Sequence, residues 1–157
     1  MYKTPSHLPE ASRHELARTL NARLADGLDL HADLKVAHWN VRGPQFPALH
    51  PLFEQLAAQQ AGFNDSIAER AVTLGGLATG STRHVARSSQ LADYPLDVTR
   101  DVEHVALLAD RIDTYVAGLR EARGIAERLA DTDTVDLLTG VISELEKTGW
   151  MLRATLA

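Results

Sequence analysis

The stretch GGLATGSTRHVARSSQLADYPL, residues 75–96, decides the architecture. Gly75, Gly76, Gly80 and Pro95 break it too often to continue a helix from either side. Immediately before it, residues 46–74 repeat Leu49, Leu52, Phe53, Leu56, Phe63, Ile67, Ala71 and Leu74 at helical spacing. After it, a run opening at Asp97, read as an N-cap following Pro95, repeats Val98, Val102, Val105, Ala109, Ile112, Val116 and Leu119 in steps of four and three. Further out, residues 11–39 carry Leu16, Leu20, Leu24 and Leu28, four apart. A last run opens at residues 132–134 and repeats Val135, Leu138, Ile142, Leu145 and Leu152. Strand-like alternation of β-branched residues is missing, so the chain reads as four amphipathic helices.

Connection lengths set the topology. The first two helices are joined by about six residues, which makes them antiparallel neighbours. A helix over residues 46–74 is roughly 40 Å long, and a linker the length of residues 75–96 can extend to about 70 Å. The linker can therefore run back along the whole bundle, with a short helix expected at residues 81–89. One long crossover of this kind is the ferritin-like arrangement rather than the simple up-and-down bundle. The expected fold is all-α: a ferritin-like four-helix bundle with one long crossover containing a short helix.

The chain has 157 residues, 45% hydrophobic and 24% charged, which suits one packed domain. Residues 1–10 are expected to form a short N-terminal tail and residues 11–157 the domain. The absence of cysteine excludes disulfides, thiolate metal sites, a cysteine nucleophile and covalent c-type haem. The net charge of −5 is a poor start for gripping phosphates. No apolar run approaches the length of a membrane span, and residues 1–10 lack the apolar core of a secretory signal. A cytoplasmic protein is the default expectation.

Helix two carries His50, Glu54, Asp65 and Glu69. His50 with Glu54, and Asp65 with Glu69, are i, i+4 pairs, each able to grip one ion. The four positions share an arc of about 100°, roughly 150° from the apolar stripe. They therefore turn away from their own bundle. The two pairs also sit roughly 22 Å apart along the axis, too far to meet within one chain. A two-fold dimer with antiparallel copies of this helix would bring His50 and Glu54 of one chain to Asp65 and Glu69 of the other. His38, beside the short turn, could complete the imidazole side. Mixed imidazole and carboxylate donors suit iron or another divalent first-row metal better than calcium or magnesium. On spacing alone, a solvated acidic face remains the commoner meaning of such pairs. Asp101 and His104 at i, i+3 read as a hydrogen-bonded surface pair before a metal pair. His7, His14, His31 and His84 carry no functional signal. The Glu-x-x-His motif of di-iron sites inside one bundle is absent.

The stretch KVAHWNVRGPQFPALH, residues 35–50, resembles the signature of the Dps family, the DNA-binding proteins from starved cells. DSIAERAVTLGG, residues 65–76, is similar to its second half, and YPLD at 94–97 and DTVDLLT at 133–139 resemble further family stretches. The resemblance runs from about Leu20 to the C-terminus. It implies a hollow dodecamer that oxidises ferrous iron, typically with hydrogen peroxide or else with dioxygen, and stores the ferric mineral, protecting against oxidative stress. It places the ferroxidase centre between two-fold-related subunits, with His38, His50 and Glu54 from one and Asp65 and Glu69 from the other. Many family members have aspartate where this chain has Glu54, whose longer arm alters the metal spacing. Trp39 would lie near the site, either taking stray oxidising equivalents or simply packing at the end of helix one. Haem is not expected, since Met151 is the only internal methionine.

The alternative within the family is a nucleoid-compacting protein with a secondary iron role. Phosphate binding needs clustered cations. The N-terminal segment offers Lys3 and little else, and Arg153 is the last basic residue. Weak or absent DNA binding is the expectation. Asp131, Asp133 and Asp136 read either as acidic residues favoured at a helix N-terminus or as an acidic funnel drawing cations inward.

Overall fold

A computed structural model describes residues 3–157; Met1 and Tyr2, the start of the expected tail, lie outside the described residues. The chain forms α1 (Glu10–Asn40), α2 (Phe46–Thr73), the short α3 (Thr82–Ser88), α4 (Asp101–Arg128) and α5 (Thr132–Thr155). Among the described residues there is no strand, only an isolated bridge between Arg42 and Arg100. α1 packs chiefly against α2 and α4 chiefly against α5, and α1 also meets α3 and α4. The core between them is built by Leu16, Leu20, Leu30 and Leu34 of α1 and by Phe53 and Ile67 of α2. Leu108, Ile112, Tyr115 and Leu119 of α4 close on it from one side and Leu138 and Leu152 of α5 from the other.

α2 ends where the sequence demands it. Gly75 takes a positive φ of 91°, its N–H donates to the Val72 carbonyl at 2.8 Å and that of Gly76 to the Ala71 carbonyl at 3.0 Å. This is the Schellman closure, in which glycine is favoured because a side chain is strained at positive φ. α4 ends with the same pair of bonds, Ala130 to Glu127 and Asp131 to Ala126, but with Ala130 at φ 58° in the glycine position.

The crossover runs back along α1 and is fastened at successive heights. Asn21 donates to the Leu77 carbonyl at 2.9 Å and accepts from the Thr79 N–H at 2.7 Å. Asp26 accepts from the Gln90 N–H at 2.8 Å. Higher still, Arg111 donates to the carbonyls of Ala92 and Asp93 and is ion-paired to Asp33 at 3.0 Å. Buried charges must be paired, and each of these α1 carboxylates has a role as a fastening for the linker. Burial and the like charge of Asp29 push the Asp33 carboxyl up to about 7, against the opposing pull of Arg111.

The third long helix begins at Asp101, four residues after the expected N-cap Asp97. The cause is tertiary. The Arg42 N–H donates to the Thr99 carbonyl at 2.7 Å and the Asp101 N–H to the Arg42 carbonyl at 2.9 Å. That pairing holds Thr99 and Arg100 as a bridge against the α1–α2 turn. Gly43 in this turn has φ 140°, and a Cβ there would run into the Asp101 carboxylate.

Candidate metal centre

The α1–α2 turn brings the two signature histidines face to face. His38, in the last turn of α1, and His50, in the second turn of α2, stack with ring centroids 3.9 Å apart. Each Nδ1 lies within hydrogen-bonding distance of the other residue's backbone carbonyl, 2.8 Å for His38 to His50 and 2.9 Å for the reverse. A carbonyl only accepts, so each Nδ1 carries the hydrogen. With the hydrogen on Nδ1, Nε2 is the ring nitrogen open to a metal, the arrangement that orients a histidine ligand. Phe46 stacks on the other face of His50 at 4.9 Å and holds the ring in place.

Glu54 joins them. One of its carboxylate oxygens is 3.4 Å from His38 Nε2, and the same oxygen is ion-paired to Lys35. The Lys35 hydrogen bond holds the Glu54 carboxyl below the ordinary carboxylate range, with Lys35, His38 and His50 adding to the pull. Lys35 also sits 5.7 Å from the Trp39 ring centroid. Trp39 is two-thirds exposed, so it does not pack into the end of α1. Lys35 was not singled out from the sequence as a group of the site. Its signal was position: Lys35 and His38 are i, i+3 on α1, and so project together.

Asp65 and Glu69 are exposed on α2, one turn apart. Neither side chain makes a hydrogen bond or ion pair with another described residue. Glu54 and Asp65 are separated by roughly 16 Å along the axis. Among the described residues no three metal-donating side chains gather into one cluster. One chain stacks His38 on His50 and sets Glu54 beside His38, and it leaves Asp65 and Glu69 apart from them.

Two other sequence expectations are corrected. Asp101 and His104 are buried, not a surface pair. Asp101 accepts from the N–H groups of Gln45 and Val102, both at 2.9 Å. His104 Nδ1 meets the Tyr94 hydroxyl at 2.6 Å, and burial holds its imidazole below the usual pKa. Asp131 does not stand with Asp133 and Asp136 as a free acidic cluster. It is fully buried, bonded to Thr134 and ion-paired to Arg70 at 2.6 Å, which fastens α2 to the start of α5. Asp136 is exposed, and Asp133 lies 3.8 Å from Arg70.

The chain matches the ferritin-like domain family over residues 17–157. It is 35% identical over 153 residues to the DNA protection during starvation protein of Agrobacterium fabrum, covering 98% of this chain and 94% of that one. Its fold superposes on a Mycobacterium smegmatis Dps with a TM-score of 0.94 at 30% identity, covering 99% of this chain and 94% of that one. The chain belongs to the Dps family of ferritin-like proteins. A Dps from Vibrio cholerae, described as a member of a broad superfamily of ferritin-like diiron-carboxylate proteins, is similar at a TM-score of 0.93 and 26% identity, covering 100% of this chain and 99% of that one. Imidazole and carboxylate donors from this Dps chain are the types such a superfamily uses. No helix among the described residues is long and apolar enough to cross a membrane.

Proposed function

We propose that this Dps chain is a ferroxidase and iron-storage protein. In this reading it assembles as a hollow dodecamer in the cytoplasm. Ferrous iron binds where two copies meet about a two-fold axis, with His38, His50 and Glu54 from one and Asp65 and Glu69 from the other. The observation that carries the reading is the reciprocal lock of His38 and His50 through Nδ1, which leaves Nε2 of each ring free of that bond, with Glu54 3.4 Å from His38 Nε2. The exposed, unpartnered Asp65 and Glu69 supply the complementary half on the same helix.

Iron is the substrate. The imidazoles hold ferrous ions, and the carboxylates favour the more highly charged ferric product. Two ferrous ions each give one electron to hydrogen peroxide. Its O–O bond breaks, two protons are taken up and two waters leave. Paired transfer avoids the one-electron route that releases hydroxyl radical. An approaching cation must displace Lys35 from Glu54, so the ammonium keeps the carboxylate ionised and in place until iron arrives.

The test is ferrous oxidation by peroxide, followed in the near ultraviolet, on the parent protein and on a His38→Ala, His50→Ala double variant of the same particle size. Oxidation should slow strongly in the variant; an unchanged rate in a correctly assembled variant removes these residues from the mechanism. Protection of DNA, the property in the names of the relatives, follows here from removing iron and peroxide. The charge of −5 per chain is multiplied in a shell and opposes phosphate binding. A gel shift at about 150 mM salt should show no complex at submicromolar protein.

A further inference from the structure

A groove of about 370 Å³ lies between α1, α2 and the start of the crossover. Its walls are mostly apolar, including Leu24, Leu28 and Ala68. Three polar side chains also line it: His31, Asn64 and Asp65. Asn64 is already committed, donating to the Gly27 carbonyl at 3.0 Å and accepting from Gln60 at 2.8 Å. His31 and Asp65 have no hydrogen-bond or ion-pair partner among the described residues. An imidazole and a carboxylate, both unpaired, thus line one largely apolar groove on the same chain. His31 also lies two helical turns before His38 on α1, so the two imidazoles project from nearly the same face.

We propose that His31 adds a third imidazole to the metal centre, as a donor on the same chain as Asp65. This rests on the assignment of Asp65 to an inter-subunit centre and extends it. Each centre would then draw His38, His50 and Glu54 from one copy, and His31, Asp65 and Glu69 from the other. Added nitrogen donors favour borderline cations such as cobalt and zinc over the harder manganous ion. His31 therefore tunes which metal the centre holds as well as how tightly.

The probe is cobaltous ion, titrated into the iron-free assembled protein and followed by its visible absorption. Three variants are compared with the parent: His31→Ala, His31→Gln and the double His38→Ala, His50→Ala. Particle size is checked for each by light scattering. The expected result is a loss of cobalt affinity of about tenfold or more for both His31 variants, a smaller loss for manganous ion, and a band altered in position or intensity. The double variant should lose the site altogether. If it loses the site while both His31 variants match the parent in affinity and spectrum, the role of His31 is overturned and the shared centre stands. If the double variant still binds cobalt as the parent does, the shared centre itself is overturned, and the His31 assignment with it.

Discussion

Changing Gly27 to alanine adds one methyl group where α1 packs against buried side chains of α2 and α4. Alanine is favoured over glycine inside a helix by about 0.8–1 kcal/mol. At Gly27 the new methyl would collide with Asn64 Oδ1, lie 2.7 Å from the Tyr115 hydroxyl and 2.9 Å from Gln60 Nε2. All three side chains are buried, and Asn64 is held from both ends by the Gly27 carbonyl and Gln60. They cannot step aside without breaking those bonds. Overpacking of a well-filled interior costs about 1–3 kcal/mol, and a lost hydrogen bond adds about 1 kcal/mol. The collision therefore outweighs the gain in propensity, and Gly27→Ala should destabilise by about 1–3 kcal/mol net. Gly124, on the exposed side of α4, has nothing within 4 Å of an added Cβ. Gly124→Ala should therefore stabilise by up to about 1 kcal/mol. The assay is thermal unfolding by far-ultraviolet circular dichroism at one protein concentration, so that assembly contributes equally. Shifts of about 2–4 °C per kcal/mol are expected for a chain of this size. Asn64 is next to Asp65, so displacing α2 at this point should also weaken binding of ferrous iron. A Gly27→Ala protein that gains Tm as Gly124→Ala does would refute the packing argument.

Three further outcomes follow from single contacts. Asp131→Ala leaves the Arg70 guanidinium without its buried anion and should cost about 3–5 kcal/mol in urea unfolding, with part of the loss recovered by a second change, Arg70→Met. Ala130 holds a position where positive φ costs an L-residue about 1 kcal/mol or more, so Ala130→Gly should raise the urea midpoint despite the greater freedom of the unfolded chain. Burial keeps His104 neutral below its usual 6.5, so the unfolded chain takes up a proton near that pH and the folded chain does not. Stability is therefore lost as pH falls below about 6.5. His104→Gln, which keeps a partner for the Tyr94 hydroxyl, should flatten that loss between about pH 7 and about pH 5.

Most of the fold was legible because leucine spacing reports a helix face directly. The stripes of α1, α2 and α5, the short helix in the crossover and the length of the linker all follow from local pattern. The start of α4 does not. Asp97 after Pro95 is a good local cap, but the Arg42 and Asp101 backbone bonds to a distant turn override it. Asp26 and Asp33 show the same limit. As carboxylates on α1 they look solvated, and only the linker lying over them explains their burial. Asp101 and His104 were misjudged for the same reason, since the covering groups, Gln45 and Tyr94, come from other elements. Around the candidate metal centre, residue type and i, i+4 spacing singled out His50, Glu54, Asp65 and Glu69. The lock between His38 and His50 and the place of Lys35 depend on how α1 and α2 meet across their turn, which spacing alone does not encode.

The most direct test of the shared centre is anomalous diffraction at the iron edge from crystals soaked in ferrous salt under exclusion of air. The account predicts a peak within coordination distance of His38 Nε2 and His50 Nε2 of one protomer and of Asp65 and Glu69 of its two-fold partner. Iron held inside one four-helix bundle, or at Asp65 and Glu69 with no imidazole beside it, would contradict it.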